Sequence, residues 1–171
     1  MTDDTTPVHS PTPSQTVGPF FGSALRFEGD AEASSPSAVD ALRVEGQLLD
    51  GAGAPVQDGV IEVWKGAQFA RCLTDSEGAY HVVIAHPQAT QLPDGRRLAP
   101  HLNVTVFARG LLRHLATRLY LPDEAAANSA DPVLEAVPPD RRSTLIARHE
   151  GKVLHFDIRL QGEHETVFFT L

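Results

Sequence analysis

From Leu42 onward, apolar and polar residues alternate in short runs that are repeatedly broken by turn-forming residues. Leu42-Arg43-Val44-Glu45-Gly46-Gln47-Leu48 is the clearest run, and Asp50-Gly51-Ala52-Gly53 follows it with turn chemistry. A period of two places successive side chains on opposite faces of an extended chain, so each run specifies a strand with one buried face. Val60-Ile61-Glu62-Val63-Trp64 reads as a second strand. The Thr74-Asp75-Ser76-Glu77-Gly78 turn leads into a third over 79–84. Further strands are expected over 102–108 and 112–120, and a last hairpin should join 144–148 to 153–160 across Glu150-Gly151. Many short strands separated by turns predict an all-β chain folded as a β-sandwich.

Helix is expected in only one or two short places. Asp123-Glu124-Ala125-Ala126-Ala127-Asn128 combines a capping residue with good helix formers, and Pro132 is expected to end it. Residues 140–145 have room for one turn. The first 40 residues read differently: Pro7, Pro11, Pro13 and Pro19 punctuate an extended arm, and residues 31–39 form a small-residue linker. The expected division is an arm and linker over 1–40 and a β-sandwich domain over 41–171.

Composition limits the possible partners and compartments. The 171 residues carry a net charge of −8, and Lys65 and Lys152 are the only lysines, so clustered cations for phosphate contacts are missing and nucleic acid is not an expected partner. The start of the chain has neither a basic segment nor an apolar core of a leader, and no run approaches the roughly 18 apolar residues of a membrane span. The single Cys72 permits no intrachain disulfide. Together these features lead us to expect a cytoplasmic protein with no membrane association.

No self-contained catalytic motif stands out in the sequence. Gly51-Ala52-Gly53 lacks the third glycine of a dinucleotide loop, and there is neither a nucleophile elbow nor a phosphate loop. Cys72 reads as a small packed residue rather than a nucleophile. The eight histidines include no His-x-His pair for a strand and no His-x-x-x-His pair for a helix. His149-Glu150 and His164-Glu165 begin like metalloprotease motifs, but neither has the second histidine.

Four stretches together resemble the alpha subunits of the protocatechuate 3,4-dioxygenase family of intradiol ring-cleaving enzymes. They are Thr12-Pro13-Ser14-Gln15-Thr16-Val17-Gly18-Pro19-Phe20-Phe21; Glu62-Val63-Trp64 with Arg71 and the Thr74-Asp75 turn; residues 99–110 continuing to Thr117-Arg118-Leu119-Tyr120; and Phe156-Asp157-Ile158-Arg159-Leu160 running on through residue 169. The match extends from about Thr12 to the C-terminus. The second stretch is common to many β-sandwiches, whereas the third and fourth are specific to the family.

The resemblance implies a sandwich of the intradiol dioxygenase type, paired with an iron-bearing beta subunit in a hetero-oligomer of αβ protomers. In that family non-haem Fe(III) is held by two tyrosines and two histidines. Where the beta subunit has His-x-His, this chain reads His101-Leu102-Asn103, and Asn103 is a poor donor for ferric iron. Tyr80 and Tyr120 are the only tyrosines, and both match non-ligand positions. The resemblance therefore assigns no metal ligand and no catalytic residue to this chain; Fe(III) belongs to the partner. It matches Thr16, Gly18, Pro19 and Phe20 to the arm segment lining the substrate cavity, and Arg109 to an arginine that approaches it. The implied reaction is cleavage of protocatechuate by O2 to 3-carboxy-cis,cis-muconate. A guanidinium suits the substrate's carboxylate, and Gly18 would let backbone come close to a ligand. The rival readings are a non-catalytic structural or binding β-sandwich module, which the pattern from Val44 to Tyr80 also resembles, and a stand-alone catechol-type dioxygenase, which would need two tyrosine ligands.

Overall fold

The turns anticipated from sequence close through aspartate side chains. Asp50 Oδ1 accepts from the amides of Ala52 and Ala54, each at 2.9 Å, and Asp75 Oδ1 accepts from those of Glu77 at 2.8 Å and Ala79 at 2.9 Å. Each turn delivers the chain into a strand of a two-sheet sandwich, seen in a computed structural model that describes residues 12–18 and 20–170.

The first sheet is built on β1 (Ala41–Leu49), whose burial alternates as its sequence does. Antiparallel β4 (Ala79–Ala85) lies on one side of it, pairing Ala41 with Ala85 through Gln47 with Ala79. On the other side run β10 (Val153–His155) and β11 (Ile158–Arg159), both parallel to β1. A short hairpin adds β9 (Arg148–Glu150) to β10. The second sheet has the order β3-β2-β7-β8, from β2 (Val60–Lys65), β3 (Gln68–Leu73), β7 (His101–Phe107) and β8 (Leu115–Tyr120), all antiparallel. A two-residue ribbon, β5 (Thr90–Gln91) with β6 (Arg97–Leu98), lies apart. The main core forms between the two sheets, where Val44, Leu48 and Leu154 oppose Ile61, Val104 and Leu119, all at most 2% exposed.

The expected last strand over 153–160 is interrupted at Phe156-Asp157. There the Phe156 amide still donates to Glu45 at 2.8 Å, while Asp157 Oδ1 accepts from the Gln47 amide at 3.1 Å. The break brings the Phe156 carbonyl against β1 at the one residue without a side chain. A Cβ on Gly46 would lie 2.0 Å from that oxygen. The first arm of the expected hairpin also differs, because Arg142–Leu145 forms a 3-10 turn and the pairing begins only at Arg148. Besides the short β5 and β6, one full strand was not anticipated: β3 returns from β2 through Gly66-Ala67, with φ of 58° at Gly66, the residue type a tight two-residue hairpin needs first.

Three five-residue helices occur among the described residues. They are α1 (Phe21–Leu25), α2 (Ala125–Ser129), which continues a 3-10 turn over Pro122–Glu124, and α3 (Pro132–Ala136). Pro132, expected to end a helix, instead begins α3. A proline at the first helical position loses no hydrogen bond, and Asp131 caps the helix by accepting from the amides of Val133 at 2.8 Å and Leu134 at 3.0 Å.

Asp131 organises a second, smaller core of Ala99, Tyr120, Leu134, Val137 and Leu145. Its carboxylate is wholly buried and also accepts from the Ala99 amide at 2.8 Å and the Tyr120 hydroxyl at 3.1 Å. His101 pairs across the sheet with Tyr120, its ring 5.5 Å away, and its Nδ1 lies 2.7 Å from the Ala99 carbonyl. Burial holds the His101 imidazole down to about 4, outweighing the carbonyl contact that favours its charged form.

Two stability predictions follow from these contacts. Gly46→Ala forces a methyl group into backbone, so urea unfolding should show a loss of about 3 kcal/mol. For His101, the unfolded chain binds a proton at about 6.5 and the folded chain only at about 4. Its stabilising contribution is thus complete above pH 6.5 and declines as the pH falls toward 4, by up to about 3 kcal/mol. His101→Gln should remove that part of the acid sensitivity. Unfolding midpoints of the two proteins that fall in parallel between pH 6.5 and 4.5 would contradict it.

Candidate functional site

The outer face of the second sheet, opposite the main core, carries a patch of aromatic and charged side chains. Cross-strand register sets Phe69, Trp64, Asn103 and Arg118 in one row and Arg71, Glu62, Thr105 and Ala116 in the next. Trp64 packs on Phe69 with ring centroids 4.3 Å apart, and Phe27 from the arm stacks on the same ring at 6.4 Å. Trp64 and Phe27 stay 42% and 52% exposed, so the strip opens to solvent. Lys65 sits at the end of the sheet with its ammonium 3.3 Å from Thr90 Oγ1. Burial, and secondarily the charge of Arg118, lowers its pKa.

Beneath the strip, Glu62 and Arg71 form a largely buried ion pair. Arg71 Nε and Nη2 both donate to Glu62 Oε1, at 3.0 and 2.6 Å, and the guanidinium lies 5.0 Å over the Phe69 ring. Its remaining nitrogen, Nη1, donates to the carbonyl of Leu25, the last residue of α1. Sequence reasoning missed this pair because it missed β3. In a hairpin turning at Gly66-Ala67, residues 62 and 71 face each other, as do 64 and 69.

Of the sequence-predicted site residues, Phe20 and Arg109 come near one end of this face. Thr16 is exposed and Gly18 half-buried, with φ of 79° that favours glycine; Phe20 is 77% exposed immediately before α1. Pro19 lies outside the described residues. From Phe20 the chain enters α1, where Gly22 packs against Leu73 at the end of β3; a Cβ on Gly22 would lie 3.2 Å from that side chain. Arg109 follows β7 in the Arg109-Gly110 turn. The register puts Leu73, Val60 and Phe107 side by side, so the start of α1 and the Arg109 turn approach the same sheet end from different strands. Two strand spacings, about 10 Å, separate Leu73 from Phe107. The Arg109 guanidinium is 63% exposed and lies 3.3 Å from Asp58 Oδ2, itself 60% exposed on a residue with φ of 58°.

The residues that the resemblance compares with iron ligands are committed elsewhere. Residues 101 and 103 do share a face of β7, but His101 is buried against Ala99 and Tyr120 whereas Asn103 is exposed. The Tyr120 hydroxyl donates to Asp131, and burial pushes its pKa up to about 12. Tyr80 is also buried, its hydroxyl donates to the Phe156 carbonyl, and its pKa stands well above the ordinary tyrosine value. A phenol becomes a ferric ligand as phenolate, which burial and these donations disfavour. These residues do not fit a ferric site. Among the described residues, no group of three or more His, Cys, Asp or Glu is placed to hold a metal. Cys72 is half-buried, and burial raises its thiol pKa, against a nucleophilic role.

Known proteins supply the context for this geometry. No family model matches the chain. The protocatechuate 3,4-dioxygenase alpha chain of Burkholderia cepacia is 37% identical over 191 aligned positions, covering 92% of this chain and 96% of that one. The alpha chain from Pseudomonas putida is 37% identical as well, covering 92% and 95%. A protocatechuate 3,4-dioxygenase beta chain from Burkholderia cepacia is 28% identical, over 72% of this chain and 65% of its own length. Among solved structures, the dioxygenase domain of a carbohydrate-binding fusion from Streptomyces sp. SirexAA-E superimposes with a TM-score of 0.55 at 22% identity, over 90% of this chain and all of that one. Hydroxyquinol 1,2-dioxygenase from Pseudomonas putida DLL-E4 gives 0.57 at 20% identity, over 86% and 65%. These structures share the sandwich, and the alpha-chain relatives match nearly end to end, so this chain belongs to the protocatechuate 3,4-dioxygenase alpha-chain family of intradiol dioxygenases.

Proposed function

We propose that this chain is the subunit that holds no iron in a protocatechuate 3,4-dioxygenase and completes the substrate pocket of an Fe(III)-bearing beta subunit. The observation that carries this reading is a division of labour within the chain. Tyr80, His101 and Tyr120 are tied into the two cores, whereas Thr16, Phe20 and the guanidinium of Arg109 are exposed, Phe20 and Arg109 near one end of the sheet. A beta chain among the relatives supports a partner of the same fold. The reaction of the assembly is cleavage of protocatechuate between its hydroxylated carbons, with both atoms of O2 entering 3-carboxy-cis,cis-muconate. The iron chemistry belongs to the partner; no step of it runs through the residues of this chain. The proposed place of work is the cytoplasm; no helix among the described residues is long and apolar enough to cross a membrane.

In this reading the present chain shapes the pocket. Gly18, Pro19 and Phe20 bring backbone and an aromatic wall to the cavity, with Thr16 adding a hydroxyl. Arg109 binds the ring carboxylate. Its present partner does not oppose this: an exposed ion pair such as Arg109–Asp58 is worth at most about 1 kcal/mol, less than the roughly 1.5–3 kcal/mol of a charge-assisted hydrogen bond made away from water.

Produced alone, the chain should bind no stoichiometric iron and show no protocatechuate-dependent oxygen uptake; with a beta-type partner, both should appear. Iron and turnover in the isolated chain would overturn the assignment. In the co-produced complex, Arg109→Ala should weaken protocatechuate binding about 10- to 150-fold. Steady-state kinetics with unchanged KM and kcat would remove Arg109 from the pocket.

A further inference from the structure

Among the described residues, every hydrogen bond from residues 20–30 to the sheets ends on one residue. The Arg71 amide donates to the Asp30 carbonyl at 2.6 Å, and Arg71 Nη1 donates to the Leu25 carbonyl. Other polar contacts of this segment are internal: Asp30 Oδ2 accepts from the Phe27 amide at 3.4 Å and from Arg26 Nε at 3.3 Å, and the Ala24 amide donates to Phe20. Two apolar contacts run to the same strand, Phe27 on Phe69 and Gly22 on Leu73.

We propose that Arg71 is a positioning residue that sets where the N-terminal arm stands, and through it the pocket segment at Thr16, Gly18 and Phe20. The inference rests on the reading of the arm as part of a partner's pocket. Leu25 ends α1, and a helix this short leaves its last carbonyls without partners of its own. A guanidinium is the natural donor there, being cationic at a helix C-terminus and forked, so that two of its nitrogens hold Glu62 while the third reaches Leu25. Glu62 fixes the guanidinium in turn; it is 8% exposed and also lies 3.4 Å from Trp64 Nε1. Since α1 is one turn and Phe20 immediately precedes it, the clamp on Leu25 determines the direction in which the arm leaves the sheet.

The test uses the complete chain co-produced with its beta-type partner. Arg71→Lys keeps a charge beside Glu62 but offers one point of donation instead of a fork. The double variant Glu62→Gln with Arg71→Met removes the clamp without stranding a buried charge. We expect hydrogen exchange at the Ala24 and Asp30 amides to quicken about 10- to 100-fold in both variants, with the Val63 and Val104 amides unchanged. The KM for protocatechuate should rise about tenfold while kcat changes little. Unchanged exchange at Ala24 and Asp30 in both variants would overturn the proposal, whatever the kinetics. Faster exchange with unchanged KM would also overturn it, and a deletion of residues 1–20 then locates the failure. If the deletion raises KM, only the role of Arg71 falls; if it too leaves KM unchanged, the reading of the arm as a pocket wall falls with it.

Discussion

The ion pair between Glu62 and Arg71 orients the side chain that links the β2–β3 hairpin to the end of α1. It lies across the β2–β3 hairpin, on the face turned away from the main core, where a carboxylate and a guanidinium are mostly removed from water. Such a pair adds little net stability, because the cost of desolvating both charges offsets much of their attraction. Its consequence is geometric. With Glu62 holding two of its nitrogens, Arg71 has one direction left in which to donate, and the Leu25 carbonyl occupies it. The guanidinium lies over Phe69, on which Phe27 stacks, so the arm, the hairpin and the aromatic strip meet at this pair.

The other end of the sheet shows how side chains of metal-ligating type are withdrawn from such work. Asp131 is wholly buried at the start of α3, and a buried carboxylate must find donors. It takes three amides and the Tyr120 hydroxyl. The same cap pulls α3 onto the sheet, and its Leu134 and the following Val137 join Tyr120 in the second core. His101, next to Tyr120, is left dry enough to stay neutral through most of the acid range. Neighbouring Asn103 points to solvent and finds no comparable partner among the described residues.

Packing and display are thus divided between opposite faces of one sheet. Its inner side fills the sandwich with branched aliphatic residues, while its outer side carries Trp64, Asn103, Arg118 and the docked arm. Arg109 lies at the margin of that outer side, in an ion pair open enough to water to exchange one carboxylate for another. The arrangement suits a subunit whose contribution is a surface and a few oriented groups.

Strand periodicity was legible directly, since alternation along Leu42 to Leu48 and the aspartate turns at Asp50 and Asp75 depend on neighbours only a few residues away. The family was legible too, because the stretches around Thr12–Phe21, 99–110 and 156–169 keep their residue types in order. Local patterns misled where a contact distant in sequence decided the outcome. Pro132 reads as a helix stop until Asp131 is seen to cap a new helix, and the strand over 153–160 reads as continuous until Gly46 admits the Phe156 carbonyl. The strand β3 and the arm's attachment were beyond reach for the same reason, as the partners of Arg71 lie 9 and 46 residues away. Sequence by itself determined the sandwich, the family and the asparagine at position 103 in place of a second histidine, because residue type and short-range spacing carry that information. Tertiary structure alone decided which polar groups are buried together and where the arm is held, because hydrogen bonds and ion pairs out of water form between whatever side chains the sheets bring face to face.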